Sequence, residues 1–109
     1  MPFDGELAIR AREILEEHGP VDERKMFGGI AFMFKGYMCC GVLNDDLVAR
    51  LGPEGAERAL KKGYVRPMDF TGRPMKGYVF VGPAGVRTET MLRSWIRSCI
   101  EFVDALPAR

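Results

Sequence analysis

Residues 26–43 carry the pattern that most restricts this chain. Met26-Phe27-Gly28-Gly29-Ile30-Ala31-Phe32 is answered, beyond Lys35-Gly36, by Tyr37-Met38-Cys39-Cys40-Gly41-Val42-Leu43. Two short apolar runs separated by a turn-forming pair read as a buried β-hairpin. Alternation along the first run sets Ile30, Phe32 and Phe34 on one face and Phe27, Ala31 and Met33 on the other, so both faces are apolar. In a two-layer domain, helices shield one side of such a sheet. The other side requires a loop, a terminal segment or a second copy of the molecule.

Helical patterns flank the hairpin. Asp4 is placed to cap a helix with Leu7, Ala11, Ile14 and Leu15 on one stripe and Glu6, Arg10, Glu13 and Glu17 opposite, stopped by His18-Gly19-Pro20. The single histidine belongs to that stop, where an imidazolium suits the negative end of the helix dipole, rather than to a catalytic pair. A second break at Asn44-Asp45-Asp46 divides the stretch from Lys25 to Leu51 into three strands, a β-meander. Gly52-Pro53 then opens a short helix bearing Ala56, Ala59 and Leu60 and closed by Gly63. Met68 and Phe70 alternate with Pro67 and Asp69, Thr71-Gly72-Arg73-Pro74 makes a turn or bulge, and Gly77-Tyr78-Val79-Phe80-Val81 resumes an extended run. After Gly82-Pro83-Ala84-Gly85, the residues Leu92, Trp95, Ile96, Cys99, Phe102, Val103 and Leu106 recur at helical steps. The order α-β-β-β-α-β-β-α predicts a two-layer α+β fold with an antiparallel sheet of about five strands, as one domain over residues 1–109.

Chemistry is harder to find. With 16 basic and 15 acidic residues, the net charge gives no general attraction to nucleic acid. Arg58, Lys61, Lys62, Arg66 and Arg73 nevertheless cluster in sequence and are the candidate nucleic-acid contacts. The three cysteines, Cys39, Cys40 and Cys99, lack metal-ligand spacing; in a regular strand Cys39 and Cys40 point to opposite faces, so they are expected to be core fillers. Gly28-Gly29 lacks the lysine or helix start of a phosphate loop and marks a close approach over the sheet instead. Asp45 and Asp46 lack the further oxygens that a hard cation needs. Gly82-Pro83-Ala84-Gly85 before the last helix, with Arg87 beside it, is the candidate anion contact. Trp95 and the neighbouring apolar residues have core spacing rather than that of a cofactor pocket. No catalytic, cofactor-binding or metal-ligating set emerges. The amino-terminal residues carry neither a basic segment nor an apolar stretch, and no run is long enough to span a bilayer, which points to a cytoplasmic, reducing setting.

Met26-Phe27-Gly28-Gly29, Met38-Cys39-Cys40-Gly41-Val42 and Arg66-Pro67-Met68-Asp69-Phe70-Thr71-Gly72-Arg73-Pro74-Met75-Lys76-Gly77-Tyr78-Val79 together resemble the TfoX N-terminal domain family. The resemblance runs from about Met26 to Leu106 and agrees with the element order. It implies a regulatory, non-enzymatic role, since the family's named members, TfoX and Sxy, activate natural competence alongside the cAMP receptor protein. Those regulators carry a further C-terminal domain, and this chain is expected to end where that domain begins. The resemblance supplies no catalytic or ligand residues. The expectation is a protein-interaction module, homodimeric through Phe27, Ala31 and Met33, with nucleic-acid binding or small-anion sensing as the alternatives.

Overall fold

Asp4 starts the first element as its position predicts. Its carboxylate accepts from the N–H groups of Glu6 and Leu7 at the head of α1 (Gly5–Glu16), donors that have no partner inside the helix. The structure is a computed structural model that describes residues 3–26, 28–70 and 73–107. After α1 come β1 (Val21–Met26), β2 (Gly29–Phe34), β3 (Tyr37–Leu43), β4 (Asp46–Arg50), α2 (Gly52–Ala59), β5 (Val65–Phe70), β6 (Arg73–Val81), a 3-10 turn (Pro83–Gly85) and α3 (Glu89–Asp104). The strands form one antiparallel sheet in the order β1-β2-β3-β4-β6-β5.

The fold is the expected α+β arrangement, with six strands in place of five. The extra strand is β1, Val-Asp-Glu-Arg-Lys-Met, which carries no apolar alternation because only Val21 is even half-buried. It is an edge strand held by backbone pairing to β2 and by an ion pair between Glu23 and Arg12 of α1. Charged side chains along such an edge also discourage pairing with another chain. The predicted turns lie where expected: Lys35 and Gly36, with φ of 55° and 84°, join Phe34 to Tyr37, and Asn44 has φ of 53°. Positive φ at both positions of a two-residue loop matches the right-handed twist of the strands it connects.

All three helices cover one face of the sheet. Leu7, Ala11, Ile14 and Leu15 from α1, Ala56 and Ala59 from α2, and Leu92, Ile96, Cys99 and Val103 from α3 join Phe32, Phe34, Val42, Leu47, Val79 and Val81 in the main core. Arg93 locks α3 to α1 with two hydrogen bonds of 2.8 Å to the Glu17 carboxylate, holding the Glu17 carboxyl below its usual pKa because the guanidinium favours the carboxylate. Thr88 caps α3 by accepting from the Met91 N–H at 3.1 Å. No helix is long and apolar enough to cross a membrane among the described residues.

Candidate functional site

Strand register assembles the uncovered face of the sheet. Reading across it, the partners are Arg24, Ala31, Gly41, Val48, Phe80 and Arg66, a row of small and apolar residues with an arginine at each edge. Ala31, Met38, Val48 and Met68 form a second buried cluster, with half-buried Met33, Leu43, Tyr78 and Phe80 packed against it and no helical residue included. The β5–β6 hairpin bends here. Between the pairs Pro67↔Val79 and Asp69↔Pro74, the single residue Met68 stands opposite residues 75–78 of β6, and Gly77 has φ of 87°. The guanidinium of Arg66 lies 5.3 Å from the Phe80 ring centroid and pairs with Asp46.

On the helical side, a groove of about 710 Å³ runs between α2 and α3. Gly55, Arg58 and Ala59 of α2 and Lys62 of the turn after it line one wall, so small side chains open the groove and two cations edge it. From α3 come Met91, Trp95 and Phe102, the hydroxyls of Thr90, Ser94 and Ser98, and the carboxylate of Glu101. The indole N–H of Trp95 donates to the Gly85 carbonyl at 2.9 Å, which fixes the ring against the groove wall. The Tyr64 ring lies against Gly85 and the Phe102 ring against Gly52; a Cβ on either glycine would collide with it.

The model of the TfoX N-terminal domain matches residues 13–103. The chain belongs to the TfoX N-terminal domain family. No curated protein and no solved structure matches it.

In this TfoX N-terminal domain the residues singled out from sequence separate. Ala31 is fully buried inside the second cluster and Met33 is half-buried, while Phe27 lies outside the described residues. The basic cluster is divided: Arg58 and Lys62 edge the groove and Lys61 is exposed on the turn after α2, whereas Arg66 belongs to the opposite side with Asp46 and Phe80. The side chain of Arg73 lies outside the described residues. Arg87 is exposed. The turn before it has spent amides that an anion would need, since Gly82 N–H donates to Tyr64 O at 2.8 Å and Gly85 N–H to Gly82 O at 2.9 Å.

The cysteines correct the strand geometry. Cys40 pairs with Phe32 and Met38 with Met33, so β3 holds one extra residue, Cys39, opposite β2. Such a bulge resets the alternation, and Cys39 and Cys40 both enter the main core with Cys99 of α3 instead of pointing to opposite faces. Interaction with the thiols of Cys40 and Cys99 draws Cys39 below the usual thiol range against the effect of its burial, and interaction with Cys39 together with burial pushes Cys40 and Cys99 up. No group of three His, Cys, Asp or Glu side chains is arranged to hold a metal ion among the described residues. All three cysteines are fully buried. A thiol-specific disulfide reagent should therefore label none of them in the native protein and all three in concentrated guanidinium; rapid native labelling would show that the cluster is open to solvent.

Arg50 was not legible in the sequence. Its guanidinium lies 5.5 Å from the ring centroid of Tyr37, 5.4 Å from that of Tyr78 and 5.5 Å from that of Phe102, and it donates to the Met38 carbonyl at 3.3 Å. It thereby ties β3, β6 and α3 together at the mouth of the sheet. A lone arginine at a strand end gives no hint of this, because its three aromatic partners are dispersed along the chain.

Proposed function

We propose that this TfoX N-terminal domain is a non-enzymatic regulatory module of the cytoplasm that acts through protein contacts, and that its first partner is a second copy of itself. The uncovered sheet face carries this reading: half-buried Met33, Leu43, Tyr78 and Phe80 finish a cluster that no helix shields. Register puts Asp22 and Arg24 at one rim of this face and Asp46 and Arg66 at the other, equal numbers of each sign. A patch with both signs at its rim is self-complementary under a two-fold axis. Methionine suits such a face because its flexible thioether adapts to the opposing surface.

The division of the basic residues between two sides of the molecule argues against a continuous track for duplex nucleic acid. Sedimentation equilibrium over a wide concentration range tests the dimer. Wild type should associate, and Phe80→Glu should weaken association about 100-fold, the loss expected when a central aromatic contact is replaced by an unpaired charge. Leu60→Glu, on an exposed leucine of the helical side, should change nothing. A wild type that stays monomeric at every concentration would overturn the reading.

A further inference from the structure

The groove between α2 and α3 is separate from the sheet face and has its own chemistry. Of its two cations, Arg58 lies in the last turn of α2 and Lys62 in the turn that follows the helix, where the Lys62 N–H donates to the Ala59 carbonyl at 3.0 Å; both side chains line the groove. Neither forms an ion pair among the described residues, and neither does Glu101 across the groove. Elsewhere on the surface Arg12, Lys35, Arg66 and Arg93 all have carboxylate partners. The two groove cations therefore leave a positive position unneutralised above an aromatic wall made by Trp95, Tyr64 and Phe102.

Shape narrows the occupant. Tyr64, packed on Gly85, and Phe102, packed on Gly52, both belong to the lining. The start of α2 lies at the end of α3, where Gly52 meets Phe102, and Tyr64, beyond α2, meets Gly85, ahead of α3, so the two helices run in opposite senses along the groove. A volume of about 710 Å³ falls within the size of small-molecule sites.

We infer that the α2–α3 groove binds a small organic anion with a flat apolar body. The anionic group lies between Arg58 and Lys62, and the body rests against Trp95 and Phe102. Two cations favour a doubly charged group over a singly charged one, because each contributes a charge-assisted hydrogen bond. The hydroxyls of Thr90, Ser94 and Ser98 supply further donors and acceptors along the opposite wall; the Ser98 hydroxyl already donates to the Ser94 carbonyl at 3.1 Å and retains its acceptor sites. Glu101, at the far end from Lys62, suits a hydroxyl or amino substituent on the body.

Trp95 is the single tryptophan, so its indole N–H resonance reports on the groove without labelling any other site. The test is a nuclear magnetic resonance titration of the folded chain with 1-naphthyl phosphate, and in parallel with inorganic phosphate, 1-naphthol, 1-naphthoate and adenosine monophosphate. Naphthyl phosphate should shift the Trp95 resonance saturably. Inorganic phosphate and naphthol, each with half of the chemistry, should bind at least about 10-fold more weakly, which corresponds to one lost charge-assisted contact. Naphthoate binding as well as the phosphate would make the ligand an aromatic carboxylate, and adenosine monophosphate binding best would make it a nucleotide; both support the site. Arg58→Ala and Lys62→Ala should each weaken naphthyl phosphate about 10-fold, while Lys61→Ala, which does not line the groove, should have no effect. Failure of naphthyl phosphate, naphthoate and adenosine monophosphate alike to give a saturable shift would overturn the inference, as would binding that survives the double replacement of Arg58 and Lys62. Association through the sheet face is read by sedimentation and stands or falls independently.

Discussion

Gly29→Ala is expected to destabilise the domain by about 3 kcal/mol, the upper end of the range for forcing extra volume into a packed region. A methyl group at Gly29 would run into the carbonyl oxygen of Val42, with the Leu43 Cα only 3.1 Å away. Both obstacles are backbone of β3, so no rotamer change relieves the collision; the β2–β3 ladder itself has to separate. Gly41 is the reciprocal case, since a Cβ there would lie 2.5 Å from the Ile30 carbonyl oxygen. Gly28 is the control. Its φ of 79° is unfavourable for an L-residue, but the nearest atom to an added Cβ is the Leu43 side chain at 4.0 Å. Gly28→Ala should therefore lose only about 1 kcal/mol, the cost of a left-handed residue. Urea denaturation checks the pair: midpoints should fall in that order with unchanged slopes. Equal losses would mean that strand approach is not why the Met26-Phe27-Gly28-Gly29 motif carries two glycines.

That result bears on what the sequence could reveal. It marked Gly28-Gly29 as a close approach, and the structure identifies the group approaching Gly29 as the backbone of the neighbouring strand β3. Helix α1 with its cap at Asp4 and the turns at Lys35-Gly36 and Asn44 were legible because each depends on residues only a few positions apart. The two faces of β2 were legible for the same reason: Phe32 and Phe34 join the helical core, and Ala31 and Met33 the opposite cluster. Strand β1 was hidden because a charged edge strand has no apolar period to detect. The bulge at Cys39 was hidden because a register shift is a property of two strands, not of either one alone. The groove was hidden most completely. Arg58 and Lys62 meet Trp95 only after the β5–β6 hairpin has brought α3 alongside α2, so no local pattern links them.

Phe32→Ala is the largest loss expected in the molecule, about 4 kcal/mol. Phe32 is fully buried in the main core, on the middle of β2 and opposite Cys40 at the bulge that gathers the three thiols. Removing its ring takes away the transfer free energy of a large side chain and leaves a void that its close-packed core neighbours cannot fill. For a domain of this size such a loss is a large share of total stability and should lower the melting temperature by about 20 °C. Met33→Ala, one position along the same strand, removes a flexible side chain that is half-buried on the other face and should cost about 1 kcal/mol in the monomer. The contrast between adjacent residues assigns function as well as stability. If the sheet face around Met33 associates, its truncation should weaken the dimer while leaving the monomer folded, whereas Phe32→Ala should unfold the monomer before any effect on association can be read. Differential scanning calorimetry at a concentration where the wild type is monomeric gives the first comparison, and sedimentation gives the second. A melting temperature that falls equally for both variants would show that the two sides of the sheet are equally structural, and would remove the reason for leaving Met33, Leu43, Tyr78 and Phe80 to a partner.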